Sequence, residues 1–146
     1  MKSVLVVALL GLTLLNINAS AQQIQPTSNS KQMKQYSLLV RVPENYQSEQ
    51  AVAAGPLWEK LLEKWKADHA YVLSFAFPGE SYTVSGQEKE VKKEIVLSGK
   101  LRVVSNIVLQ AETIEQALEQ AKFCPILLYG GTVEVREIPK PVQRFN

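Results

Sequence analysis

His69 and Cys124 are the only histidine and the only cysteine in the chain. They are the side chains best suited to carry a proton or attack an electrophile near neutral pH. Their settings argue against both roles. Asp68 precedes His69, but neighbours on a helix diverge by about 100°, so the two need not act together. At the end of a predicted helix, His69 is better placed to interact with the last carbonyls than to serve as a general base. Cys124 follows Phe123 at the end of a second predicted helix and precedes Pro125. A reactive thiol needs a cation or a helix N-terminus to lower its pKa, and a helix C-terminus has the opposite sign. Cys124 is therefore expected to be buried framework. One His and one Cys, far apart, are too few ligands for a metal site. The chain has no Gly-rich phosphate loop and no Gly-x-Ser-x-Gly elbow. No cofactor is expected, and no catalytic residue is assigned.

The elements that would position any site can be read from hydrophobic period. Tyr36 to Val42 (YSLLVRV) alternates as a first strand, with Leu38, Val40 and Val42 on one face and Leu39 and Arg41 on the other. Pro43 to Ala54 is read as a connection. Pro56 is expected in the first turn of a helix that runs to Asp68. That helix carries Leu57, Trp58, Leu61, Leu62 and Trp65 at spacings of three and four, with charges opposite. The tryptophan stripe suits core packing better than ligand stacking. Tyr71 to Phe77 (YVLSFAF) is a second strand. Ser85-Gly86 marks a turn in a solvated hairpin, and Val91 to Leu97 and Lys100 to Gln110 are further strands.

Thr113 and Gln116 fit a capping box at the start of the second helix, which Pro125 stops. Gly130-Gly131 turns the chain into a last strand, Thr132 to Ile138. The order predicts one α+β domain with an antiparallel sheet and two helices on one face. The central strand KLRVVSNIVLQ places Leu101, Val103 and Ile107 on one face and Val104 and Val108 on the other. A strand apolar on both faces should not meet water, so a homodimer with stacked sheets is expected.

The N-terminus reads as an export signal. Met1-Lys2 precedes an apolar run from Val4 to Leu15, and Ala19-Ser20-Ala21 offers small residues for cleavage after Ala21. Asn16 and Asn18 interrupt the run too early for a membrane anchor, which needs roughly 20 apolar residues. Gln22 to Gln35 is polar and is read as a flexible spacer before the domain, 36–146. The segment before the cleavage point holds one Lys and no acid, which leaves fifteen basic against fourteen acidic residues. That balance gives no electrostatic reason to expect nucleic acid or an anionic membrane as partner. A single cysteine makes no intrachain disulfide, so the exported domain must be held by its core.

The run AETIEQALEQAKFCPILLYGGTVEVREI, Ala111 to Ile138, resembles the YCII-related family, in particular its DGPF branch. Members carry a helix of the form LDEAxxxAxxCP, a short loop that is often Gly-Gly, and a final VEVR strand. Here Glu115-Gln116-Ala117 sits in the helix, Cys124-Pro125 ends it, and Val133-Glu134-Val135-Arg136 forms the strand. The resemblance extends without gaps to about Trp58, through Val84 to Gly86. It implies a ferredoxin-like, dimeric α/β-barrel fold. This sequence departs from the family where function would lie. Lys93-Glu94-Ile95-Val96 occupies the place of the Asp-Gly-Pro-Phe signature, and Val104-Ser105-Asn106 that of a Gly-Gly-aromatic run. Trp58 stands at the histidine that pairs with an Asp in YCII-type members, so the proton carrier of that chemistry is missing.

Two functional expectations follow. The first is an exported, non-catalytic module that binds a small molecule or another protein, with Arg41, Trp58 and Asn106 lining a cleft between the sheet and its dimer mate. The second is an enzyme on a small organic substrate with a non-standard site, drawing on Arg41, His69 or Glu134. The scaffold alone names no ligand.

Overall fold

The computed structural model describes residues 32–140. The expected signal segment 1–21, residues 22–31 of the expected spacer and residues 141–146 lie outside the described residues. The elements are β1 (Lys34–Pro43), α1 (Ser48–Ala67), β2 (Tyr71–Ala76), β3 (Tyr82–Ser85), β4 (Glu90–Lys93), β5 (Leu97–Ser98), β6 (Leu101–Ala111), α2 (Ile114–Ala121), a 3-10 turn (Pro125–Tyr129) and β7 (Thr132–Ile138). The main sheet runs β2-β6-β1-β7 with every pairing antiparallel, and β5 pairs with the start of β6. β3 and β4 form a separate hairpin. This α+β arrangement of two helices and a mostly antiparallel sheet is compatible with a ferredoxin-like fold.

The alternation in YSLLVRV has the expected outcome. Tyr36, Leu38, Val40 and Val42 are buried beneath the helices, whereas Ser37, Leu39 and Arg41 take the opposite face. Ile107, Leu109 and Ala111 of β6 continue the buried layer, and Leu61, Trp65, Ala117 and Ala121 close it from the helices. Trp65 is fully buried, and its indole Nε1–H donates to Gln120 Oε1 at 2.6 Å, which joins α1 to α2. Both a packed ring and a satisfied donor therefore hold the two helices together.

Three sequence expectations need correction. Helix α1 begins at Ser48, so Ser48–Ala54 is helix rather than connection, and Pro56 lies inside it. SEQAVAA is mostly composed of good helix formers, and Gln50 Oε1 accepts the Gln47 backbone N–H at 2.8 Å. Pro56 removes one interior bond, but it sits on the solvent side, where the freed Val52 carbonyl can be hydrated. The expected strand Val91 to Leu97 is broken into β4 and β5. Within β6, the pairing shifts between Val40↔Ser105 and Arg41↔Val103, so Val104 is an extra residue in a bulge. The bulge reverses the phase of the strand. Val104 joins Ile107 on the helix side, while Leu101 and Val103 join the opposite face.

At α2, Thr113 Oγ1 accepts the Gln116 backbone N–H at 3.3 Å, and the Gln116 side chain reaches back to the Glu112 N–H at 3.0 Å. The turn into β7 needs both glycines. Gly130 has φ 76°, and a Cβ on Gly131 would lie 2.5 Å from the Arg41 carbonyl oxygen.

Candidate ligand-binding cavity

An opening of about 530 Å³ lies between α1 and the β2–β6 side of the sheet. Its existence follows from side-chain size. On β2, Ser74 and Ala76 point toward the helices, in register with Ile107 and Ser105. Across from them α1 presents Ala51 and Ala54, and small residues on both walls leave a gap that neither helix nor strand fills. Val40, Val42, Trp58, Leu62, Val104 and Ile126 complete an apolar lining. Such a volume is ordinary for a small-molecule site.

Polar groups are few on this wall. Gln47 and Ser48 come from the start of α1, and Ser74 and Ser105 from the strands. Tyr46 packs edge-to-face on Tyr129, with centroids 6.0 Å apart. Burial pushes its hydroxyl above the ordinary phenol pKa, with the Tyr129 oxygen adding to the shift. Arg102 is the one charged side chain on the lining among the described residues. It faces the helix side because it is paired with Val42 in the register.

The opposite face of the sheet is open. Leu73 and Phe75 of β2 point there, opposite Val108 and Asn106, and Phe77 stacks edge-to-face on Phe75 at 5.4 Å. Leu73, Phe75, Phe77 and Val103 are all substantially exposed, as are Ile95, Val96 and Leu97 beside them. A groove of about 310 Å³ runs between Arg41, Phe77, Ile95, Val96, Leu101 and Val103. Arg41 donates from Nη1 to Glu134 Oε2 at 2.6 Å, and Arg136 engages the other carboxylate oxygen. Hydrogen bonds from Arg41 and then Arg136 hold the Glu134 carboxyl below its usual pKa.

The three residues expected to line one cleft are divided by the sheet. Trp58 is on the cavity wall beneath α1. Arg41 and Asn106 are on the open face, where Asn106 Oδ1 accepts a hydrogen bond from Ser37 Oγ at 2.7 Å. The residues considered for an enzyme are also dispersed. His69 occupies the turn after α1 with φ 56°, its side chain exposed, and its carbonyl accepts from Gln110 Nε2 at 2.6 Å. Gln110 pairs with Gln35, six residues along β1 from Arg41, so His69 is roughly 20 Å from the Arg41–Glu134 pair at strand spacing. Cys124 is 2% exposed, and burial pushes its thiol up to about 12. Among the described residues, no group of three or more His, Cys, Asp or Glu side chains could hold a metal ion.

Sequence reasoning missed Arg102 and the small-residue walls. A usable signal was present in YVLSFAF, where Ser74 and Ala76 alternate with Leu73, Phe75 and Phe77. The small residues face the cavity, which Phe75 and Phe77 also border, and the large ones face the open side. Compared with known proteins, the chain matches no family model, and no curated protein matches it either.

Proposed function

We propose that this chain is an exported, non-catalytic module that binds a small molecule and works as a homodimer. The apolar cavity beneath α1 supports the binding role most directly. Among the described residues its lining carries no carboxylate, imidazole or thiol, and His69 and Cys124 lie elsewhere. A site of this kind holds a ligand by excluding water from its apolar body. Export rests on the signal-like pattern of the first 21 residues. The likeness of Ala111–Ile138 to the YCII-related family is in keeping with this reading, because that scaffold is compatible with the observed topology.

The open face supports the dimer. Leu73, Phe75, Phe77 and Val103 form an exposed apolar centre, and Arg136 with Glu134 places both signs of charge beside it. A centre of that kind, flanked by paired charges, suits a second copy related by a two-fold axis. Stacking of the two sheets would give the dimeric-barrel form of the fold.

Native mass spectrometry of the chain purified from an exporting host tests all three parts. A mass that starts near Gln22 supports export, and twice the chain mass supports the dimer. Extra mass released on mild activation supports the cavity. A clean monomer would overturn the stacked-sheet interface.

A further inference from the structure

The three arginines among the described residues have different surroundings. Arg41 and Arg136 both engage Glu134. Arg102 makes no ion pair and no side-chain hydrogen bond among the described residues. It is half-buried on the core side of β6, between apolar walls, and no carboxylate among the described residues shares the lining. A guanidinium in such a place loses part of its hydration without gaining a counterion. An unpaired fork of N–H donors is also the group best shaped to take a planar or tetrahedral anion by two parallel hydrogen bonds.

We infer that the cavity selects a small organic anion, an apolar body with one acidic head, and that Arg102 receives the head. The inference rests on the small-molecule reading above and adds the chemical class of the ligand. The body lies against Trp58, Leu62, Val104 and Ile107, and the head is drawn to the guanidinium. A neutral molecule of the same shape fills the same volume but leaves Arg102 unpaired. A cation is repelled, because the described lining residues include no acid to offset Arg102.

Two fluorescent probes with the same ring system separate these contributions. N-phenyl-1-naphthylamine is neutral, and 1-anilinonaphthalene-8-sulfonate adds a single anionic head. On the purified chain, the sulfonate should bind at least about tenfold more tightly than the amine, the scale of one charge-assisted contact. Arg102→Gln should remove that difference and leave amine affinity within about twofold, because the apolar contacts remain. Arg102→Lys should retain part of the preference and shows that the effect is charge rather than misfolding. Ala76→Trp, which fills the cavity from an exposed strand position, should abolish binding of both probes.

Equal affinity for the two probes, or a preference untouched by Arg102→Gln, would overturn the inference and leave the cavity standing. Amine binding that persists in Ala76→Trp, or no amine binding at all, would instead overturn the cavity reading and the inference with it. The filling variant is essential because the open face is also apolar and could attract either dye.

Discussion

The two faces of one sheet use the same strands in opposite ways. On the helix side, β1 and β6 bury Tyr36, Leu38, Val40, Ile107 and Leu109, whereas β2 packs Tyr71 against the core and then presents Ser74 and Ala76, which leave an opening. On the other side the sizes reverse: β2 supplies Leu73 and Phe75, and Phe77 follows it, to a surface that no helix among the described residues covers. A strand with large residues directed away from the core and small ones toward it contradicts the usual inside-out rule. Local packing stability within one chain does not account for that pattern. It fits the two occupants proposed above, a small ligand for the recess and a second copy for the apolar plane.

The sharpest way to break this comparison is to replace one large residue on each face. Trp65→Ala removes a fully buried ring and leaves Gln120 without its indole partner. It should cost about 3–5 kcal/mol in denaturant unfolding, the scale for emptying an aromatic core position. Phe75→Glu alters a side chain that is 46% exposed. It should cost the isolated chain less than about 1 kcal/mol, as surface substitutions do, yet convert the expected dimer to monomer in sedimentation. Comparable losses of chain stability in the two variants would show that the open face is part of the fold rather than an interface.

The contrast also explains what was legible beforehand. The buried layer of β1 was readable because strict alternation in YSLLVRV maps directly onto two faces. The Cys-Pro and Gly-Gly punctuation likewise placed the end of α2 and the entry to β7. The phase of β6 was not readable, because a bulge at Val104 leaves no mark in a run of valines, and one extra residue exchanges the faces of its neighbours. The start of α1 was hidden by Pro56, which reads as a helix opener but lies more than two turns inside. The cavity depends on Ala51, Ala54, Ser74 and Ala76 converging, and small residues carry no individual chemical signature. Arg41 and Asn106 stood out as polar residues in apolar strands. Only the register shows that they belong to the face opposite Trp58.

A second test reads the helix side through pH. Burial raises the Cys124 thiol to about 12, against an ordinary value of 9.0. Between those values the unfolded chain has released the proton and the folded chain has kept it. The unfolded state then binds fewer protons, so stability falls as pH rises. The slope should approach about 1.4 kcal/mol per pH unit within that window, as for a single proton. The loss should be complete above the folded value. Cys124→Ala should lack this alkaline limb relative to the parent chain. A thiol-specific reagent at pH 8 should modify Cys124 only at the rate of unfolding. Rapid modification of the folded chain would mean that the helix side opens far more readily than its packing implies.

The smallest expected effect concerns His69, which belongs to neither face. Its backbone φ of 56° places it in the left-handed region at the end of α1, and its N–H closes onto the Lys66 carbonyl at 3.1 Å. Glycine adopts that conformation without a Cβ penalty, so His69→Gly should raise stability by about 0.5–1 kcal/mol. Its side chain is remote from the cavity lining and from the open-face ion pairs. Neither the preference between the two probes nor the oligomeric mass should therefore change in His69→Gly or in His69→Gln. A ligand affinity or turnover that fell in both variants, with unfolding midpoints unchanged or higher, would assign the imidazole a chemical role. It would move the functional centre to the turn after α1, away from both faces of the sheet.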